Sequence, residues 1–176
     1  MLRRETEAYL NNFAKYVIQQ SRSNLTKGGK NSKKELYNSL DKQIEVGANS
    51  FRLAFLMEDY GKFQDKGVKG VGGVRKTTSK FNSRNNKGKM WKQNGKNSPF
   101  SFKEGRKPSA KHFKDWAKQK GLNEYAVRDI VYHQGIKPSL FFTKPFEAAF
   151  ERLPDELVKA YGLDVEQFLQ YTINKK

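Results

Sequence analysis

The sequence contains no cysteine among its 176 residues, which excludes disulfides, thiolate zinc sites and cysteine nucleophiles. It also fits a protein made in a reducing cytoplasm. His112 and His133 are the only histidines, and neither has a carboxylate partner at the spacing of metal ligands. No apolar run approaches the ~20 residues that a membrane span needs, and the N-terminus MLRRETEAYL has no apolar signal-peptide block. We expect no cofactor, no metal and no membrane contact.

Residue patterns typical of catalysis are also missing. The glycines at 67, 70, 72 and 73 lack the Gly-Lys-Ser/Thr ending of a phosphate-binding loop, and no G-x-S-x-G elbow is present. Glu58 and Asp59 form no acid–base pair, because neighbouring residues of a strand point to opposite faces. No D/E-x-K arrangement follows a strand pair in the way that a nuclease metal site requires. We therefore predict no catalytic residues and a protein that is not an enzyme.

Acidic residues are scarce in the middle of the chain. The whole sequence has 35 Lys/Arg against 18 Asp/Glu, a net charge of +17. Residues 62–120 contain 18 Lys/Arg and three acids, so this segment carries +15 and the rest of the chain +2. The basic character therefore belongs to one segment, which suits an acidic protein surface or nucleic acid.

The N-terminal third has a helical pattern followed by a strand pattern. Residues 3–21 carry an apolar stripe at helical spacing, which packs either on a sheet or on a neighbouring subunit. Residues 22–33 are rich in Gly, Ser, Asn and Lys and predict a linker. Alternating residues around the turn sequence GANS then predict a β-hairpin over 36–57. We favour a strand over a helical turn for its beginning, Leu36 to Leu40.

Two short helices are predicted over residues 109–135, with Ser109 and Asn123 as N-caps. Glycines at 121 and 135 end them. The first helix has its apolar face at Phe113, Trp116 and Ala117, and the second at Ala126, Val127, Ile130 and Val131. Binding of DNA by a helix-turn-helix is disfavoured, because the exposed positions of the second helix include the acids Glu124 and Asp129, which phosphates would repel.

Three apolar residues, Leu140 to Phe142, precede the C-terminal helices. Thr143 is predicted as an N-cap, with Phe146, Ala149 and Phe150 on one face of the helix that follows. Pro154 ends this helix. A further helix is expected over 155–161, and a last one from Asp164.

Residues 67–108 are rich in Gly, Asn, Ser and Lys, and we predict an extended basic arm or a long β-hairpin. Its apolar residues, together with those just before it, are the predicted interface: Tyr60, Phe63, Val68, Val71, Phe81, Met90, Trp91, Phe100 and Phe102. Contact with DNA or an acidic partner is predicted for Lys69, Arg75, Lys76, Lys80, Arg84, Lys87, Lys89 and Lys92. The whole chain is then a single α+β domain, 1–176, in which an N-terminal helix and C-terminal helices pack on a small antiparallel β-sheet.

Two stretches resemble one protein family. The sequence GIKPSLFFTKPFEAAF, residues 135–150, resembles the closing signature of the tail-completion, or head–tail joining, proteins of tailed bacteriophages. Residues 59–67, DYGKFQDKG, resemble the family's aromatic-rich strand. The resemblance implies a structural neck or tail protein of the virion, assembled in the host cytoplasm. It also implies a cyclic homo-oligomer of sixfold or twelvefold symmetry that contacts portal/connector and tail proteins, with packaged DNA as a further partner.

Nucleic-acid binding is the alternative hypothesis. The basic segment 67–120 interleaves lysines with Phe81, Trp91, Phe100 and Phe102, and such aromatic side chains stack on unpaired bases. No RNA-binding signature, zinc site or groove-reading helix accompanies them. We therefore place the joining function first.

Overall fold

The computed structural model describes residues 4–29, 34–46, 50–74, 88–159 and 162. The chain forms two compact units: unit 1 combines Met1–Glu58 with Phe141–Lys176, and unit 2 is Asp59–Leu140. The single-domain expectation stays a prediction, because two compact units can belong to one domain or to two.

A long helix, α1 (Arg4–Lys27), carries unit 1. Its buried residues recur at helical spacing from Thr6 to Leu25, as an amphipathic pattern requires. The prediction of a linker over 22–33 is wrong for residues 22–27. Leu25 continues the apolar stripe and is fully buried, so the helix extends by almost two turns beyond the predicted end.

A short helix and a hairpin follow α1. The helix α2 (Glu35–Ser39) replaces the strand that we favoured at this position. Strands β1 (Asp41–Val46) and β2 (Phe51–Leu56) pair antiparallel, with Asp41 opposite Leu56 and Val46 opposite Phe51. The predicted hairpin is confirmed, and its turn at 47–49 lies outside the described residues.

The core of unit 1 is closed by the start of the C-terminal helices. Phe141 is 1% exposed and packs with Ile18, Leu25, Leu36 and Leu40. The Asn24 amide donates to the Phe141 carbonyl at 3.3 Å. These contacts tie residue 141 to the C-terminal half of α1.

Aromatic rings line the helix Thr143–Phe150. We label it α6, because helices α3 to α5 precede it in the chain, in unit 2. Phe146 lies 6.1 Å from Phe13 and 5.9 Å from Phe55, both edge-to-face. The helix begins at Thr143 itself, so the predicted N-cap is displaced by one residue to Phe142. A turn at 151–152 precedes helical residues 153–159, close to the predicted break at Pro154. The helix predicted from Asp164 lies outside the described residues.

Unit 2 contains short elements joined by extended chain. In order they are α3 (Gly61–Lys66), β3 (Val68–Lys69), a 3₁₀ turn (Ala110–Phe113), α4 (Lys114–Gln119), α5 (Glu124–Gln134) and β4 (Gly135–Ile136). Both predicted caps are confirmed: the Ser109 hydroxyl accepts from the Lys111 amide, and the Asn123 side chain accepts from Tyr125 and Ala126. These caps fix where α5 and the 3₁₀ turn begin.

The buried face of α5 differs from the predicted one. Val127 and Tyr132 are buried, whereas Ala126 is exposed and Ile130 is 43% exposed. The Tyr132 hydroxyl donates to the Lys103 carbonyl at 3.2 Å, and its ring meets Phe102. A tyrosine that buries its ring and finds a hydrogen-bond partner outweighs the two aliphatic positions in setting the helix orientation.

The described parts of the predicted arm, 67–74 and 88–108, belong to unit 2 and contain no helix. Val74 and Met90 form an antiparallel bridge, and Lys69 and Ser101 form a parallel one. With helices at both ends and small two-stranded antiparallel sheets, the α+β prediction is confirmed.

Candidate interaction surface

In the first stretch that resembles the phage family, residues 61–66 form the helix α3, so the strand that the resemblance implies is wrong. Residues 135–140 of the second stretch contact this region within unit 2. β3 pairs antiparallel with β4, with Val68 opposite Ile136 and Lys69 opposite Gly135. The Ser139 hydroxyl donates to the Gln64 carbonyl at 2.6 Å, and the Leu140 amide donates to the Asp65 carbonyl at 3.0 Å. We call this set of contacts, between residues 64–69 and 135–140, the junction.

Glycines allow the backbones of the junction to approach closely. A Cβ on Gly135 would lie 2.2 Å from the Val68 carbonyl oxygen, and Gly135 has a φ of 83°. A Cβ on Gly70 would lie 2.2 Å from the His133 carbonyl oxygen. Neither distance is possible for a real Cβ, so these sites require glycine for space, and Gly135 requires it for conformation too.

The end of α5 is closed by remote backbone groups. The last carbonyls of a helix have no partner within it. Here the amides of Val71, Gly72 and Asn94 donate to the carbonyls of Tyr132, His133 and Gln134, at 3.0, 2.9 and 2.6 Å. Two separate segments of the predicted arm are thereby fixed to one helix end.

Side chains reinforce this backbone arrangement. His133 Nδ1 lies 2.8 Å from the Gly72 carbonyl oxygen, and the His133 ring stacks on Trp91 at 5.3 Å with planes 3° apart. Gln93 donates to the Gly70 carbonyl at 2.9 Å, and the Ser98 hydroxyl donates to the Gly67 carbonyl at 2.7 Å. Sequence reasoning missed Gln93, Ser98 and His133, because no local pattern links them to glycines 20 to 60 residues away.

Most of the predicted interface residues pack inside unit 2. Phe100 lies 4.7 Å from Phe63, and Phe102 lies 6.0 Å from Tyr132. Trp91, Phe63, Phe100, Phe102 and Val71 are half-buried, and Val68 is buried. Tyr60 and Met90 are 44% and 67% exposed, so they are the predicted apolar residues most accessible to a partner. Phe81 lies outside the described residues.

The predicted cations fall into two groups. Lys69, Lys89 and Lys92 are exposed on the segments that close α5. The remaining predicted contacts lie outside the described residues: Arg75, Lys76, Lys80, Arg84 and Lys87. Lys89 and Lys92 flank Trp91, so the described surface combines positive charge with a fixed aromatic ring.

One carboxylate ties the basic chain to α5. Asp129 Oδ1 accepts from Lys107 Nζ at 3.1 Å and from Arg128 Nη2 at 2.8 Å. Partial burial raises the pKa of Asp129, but the bonds from Arg128 and Lys107 outweigh it and hold that pKa below its usual 3.8. The carboxylate therefore stays ionised and paired at neutral pH.

Further exposed apolar residues add to the accessible surface of unit 2; Tyr125 was predicted to be exposed, Trp116 and Ile130 were predicted on buried faces, and Leu122 was left unassigned. Trp116, Leu122, Tyr125 and Ile130 are 41%, 51%, 57% and 43% exposed. In the described part of the chain, no three His, Cys, Asp or Glu residues cluster in a way that could hold a metal ion. The chemistry available on this surface is cationic, apolar and aromatic contact.

Comparison with known proteins finds no matching family model, no matching curated protein and no matching solved structure. Among the described helices, none has the length and apolarity that crossing a membrane requires.

Proposed function

We propose that the protein is a structural subunit of a phage neck or tail, which joins the portal or connector to the tail as part of a homo-oligomeric ring. The junction is the observation that carries this proposal. The two stretches that resemble the tail-completion family are separated by about 70 residues in the sequence, yet the Ser139 hydroxyl donates to the Gln64 carbonyl and the Leu140 amide donates to the Asp65 carbonyl. Family likeness in two remote stretches gains weight when they form one structural element.

The physical character of the junction also supports a joining role. Its strongest contacts join backbone to backbone, and glycines bring the segments to distances that leave no room for a side chain. Such an arrangement holds its geometry under load better than contacts between flexible side chains, which must be ordered at an entropic cost. A protein that bridges two large assemblies needs a fixed spacing between its contact surfaces.

Exposed residues of unit 2 suit large partners. Tyr60 and Met90 belong to residue types that are enriched at protein interfaces. Exposed lysines at 69, 89 and 92 would accelerate encounter with an acidic partner and set its orientation. The proposal assigns these residues to binding, and assigns no residue to catalysis.

Purified particles from the phage genome that encodes this chain provide the test. Mass spectrometry should detect the protein in those particles, and deletion of its gene should give filled heads and separate tails that fail to join. Complementation with the wild-type gene should restore joining. If the protein is absent from particles, and tails attach without it, the proposal is wrong.

Nucleic-acid binding is the competing function, favoured by the exposed lysines and the high charge of unit 2. Base stacking is less well supported, because Phe100 and Phe102 are each paired with a ring of unit 2 and Trp91 stacks on His133. A salt titration on duplex and single-stranded DNA separates the two functions. The joining proposal expects weak binding that is lost near 0.15 M salt, with a slope set only by the number of phosphates contacted.

The matched variants for that titration are Lys89→Ala/Lys92→Ala and Lys118→Ala/Lys120→Ala. Both remove two exposed cations of unit 2, but only the first pair flanks Trp91. Micromolar or tighter affinity at physiological salt, reduced at least about tenfold only by the first pair, would favour the nucleic-acid function over the joining one.

A further inference from the structure

Unit 1 contains a basic groove beside α1. The groove has a volume of about 640 Å³ and lies between α1, α2 and the start of β1. Ile18 and Leu40 form part of its floor and are 8% and 2% exposed. Four cations line it against a single acid, Asp41; they are Lys15, Arg22, Lys27 and Lys42. An apolar floor with a cationic rim fits an acidic partner that carries an apolar side chain.

Two of these cations are already engaged, and two are available. Arg22 donates to the carbonyls of Tyr37 and Leu40, each at 3.0 Å, and Lys42 donates to the Asn11 side chain. Lys15 and Lys27 are exposed, and neither has a hydrogen bond or ion pair with the residues that the structure describes. They lie 12 residues apart on α1, about 18 Å at the rise of an α-helix, and their side chains leave the helix about a third of a turn apart.

The same unit carries a surface of opposite charge. Glu147, Glu151 and Asp155 recur every four residues through α6 and the helical residues after it, and all three are exposed. None of the three has an ion-pair partner within the described ranges. Glu147 and Glu151 are one helical turn apart, about 6 Å along the axis, and Asp155 follows the turn at 151–152. Val158, 72% exposed, supplies an apolar side chain at the next helical spacing.

A fourth acid in this region, Glu156, already has a hydrogen-bond partner within the chain. The pKa of Tyr9 is raised to about 12. The largest cause is partial burial, followed by a hydrogen bond to Glu156 and repulsion by its charge. This bond ties the acidic helical segment to the N-terminal half of α1. The three free carboxylates are therefore held on a fixed scaffold.

The part of the groove at Arg22 and the contact with α6 lie on opposite sides of α1. Phe13 contacts Phe146 of α6, whereas Arg22 contacts Tyr37 and Leu40 at the groove. Nine residues separate Phe13 from Arg22, which is two and a half turns at about 3.6 residues per turn, so the two side chains point in opposite directions. The helix that carries Glu147 therefore packs on the side of α1 away from Arg22. A contact between two different patches on successive copies is the kind that generates a ring.

We propose that the groove of one copy receives the acidic surface of a second copy, with Lys15 and Lys27 facing Glu147, Glu151 and Asp155, and with Val158 against the apolar floor. This inference rests on the homo-oligomeric ring of the proposed function, and it names the contact that closes the ring. Charge is balanced across such a contact, although each copy is strongly positive as a whole.

Charge reversal tests the contact. Variant A carries Lys15→Glu and Lys27→Glu, and variant B carries Glu147→Lys and Glu151→Lys. All four positions are exposed, and circular dichroism should verify that the helices remain. In sedimentation velocity near 0.1 M salt, each variant alone should self-associate at least about tenfold more weakly than the wild type, because like charges then face each other.

An equimolar mixture of A and B should recover association. The reversed groove of A then meets the reversed surface of B, and the native groove of B meets the native surface of A, so both contacts are complementary. Lys118→Glu/Lys120→Glu, in unit 2, is the control and should associate as the wild type does. Recovery in the mixture cannot be explained by misfolding of either variant.

Two results would overturn the inference. If the wild type associates and A and B associate equally well, the ring uses another contact and the proposed function stands. If the wild type is monomeric up to about 100 µM, the groove does not bind a second copy with useful affinity. Detection of the protein in particles, and failed joining without its gene, would still support the joining function in either case.

Discussion

Gly135→Ala is the substitution that tests the junction most directly. Gly135 lies where β4 follows α5, with a φ of 83°, and an added Cβ would meet the Val68 carbonyl oxygen at 2.2 Å and the Gly70 nitrogen at 2.4 Å. Gly121→Ala is the matched control. Gly121 also has a positive φ, 64°, but nothing lies within 4 Å of its added Cβ. Both variants therefore bear conformational strain, and only one of them must also separate two backbones.

The size of the difference follows from the contacts at stake. A positive φ costs alanine roughly 1–2 kcal/mol at Gly121, and at least as much at Gly135, whose ψ of −179° places it in a region that essentially only glycine adopts. At residue 135, the oxygen of Val68 must also retreat by about 1 Å to reach an ordinary carbon–oxygen contact distance. That movement strains the β3–β4 pair and the bonds from Val71 and Gly72 to the end of α5. Weakening two or three of these hydrogen bonds costs about 1 kcal/mol each. Together with the conformational cost, Gly135→Ala should lower the free energy of unfolding by roughly 3–5 kcal/mol.

Hydrogen exchange of the amides, followed alongside thermal unfolding, is the assay that locates the effect. The amides of Val71, Gly72 and Asn94 donate to carbonyls of α5 and should be protected in the wild type and in Gly121→Ala. They should lose protection in Gly135→Ala, while amides in α1 keep theirs, because α1 lies in unit 1. Equal destabilisation by the two variants, within about 0.5 kcal/mol, would show that steric approach at the junction does not contribute to stability.

Three further substitutions test other parts of the structure, each by urea or thermal unfolding. Phe141→Ala should lower the free energy of unfolding by about 3–5 kcal/mol, because Phe141 is 1% exposed. Phe150 is 48% exposed, so Phe150→Ala should cost less than half as much. Equal losses in the two variants would contradict the assigned core. Trp91→Ala removes the stack on His133 and should cost about 2 kcal/mol, more than Trp116→Ala, whose side chain is 41% exposed. Asp129→Asn should cost less than about 1 kcal/mol at pH 7, because the pair is partly exposed. The folded-state pKa of Asp129 is depressed, so its contribution to the free energy of unfolding is present above the unfolded-state pKa and is lost as pH falls through the folded-state pKa. The stabilities of the wild type and Asp129→Asn should therefore converge in acid. A difference in stability that stays constant with pH would refute the pairing.

Features set by neighbouring residues were predictable from the sequence. The hairpin follows from alternation around a turn, and the caps at Ser109 and Asn123 follow from side chains that reach an amide two or three residues ahead. The strand favoured at Leu36 to Leu40 was wrong for a physical reason. Residues four apart lie on the same side of both a helix and a strand, so burial of Leu36 and Leu40 cannot distinguish them.

Features set by remote residues were not predictable. The sequence shows where glycines occur, but Gly135 approaches Val68, which is 67 residues earlier, and no local pattern carries that information. The same holds for Leu25, which lies in a stretch with the composition of a linker. It extends α1 because Phe141, more than a hundred residues later, completes the cluster that buries it. Tertiary burial outweighs local propensity at both places.

Under the joining proposal, the difference in charge between the two units predicts different partners for them. Unit 2 has 20 Lys/Arg against six acids, whereas the rest of the chain has 15 against 12. A surface with such an excess repels its own copies over about 10 Å at 0.1 M salt, so the joining proposal expects contacts between copies on the nearly balanced unit 1. The excess on unit 2 is neutralised only by a different, acidic molecule. The joining proposal therefore predicts that unit 1 binds further copies of the chain and that unit 2 binds an acidic partner.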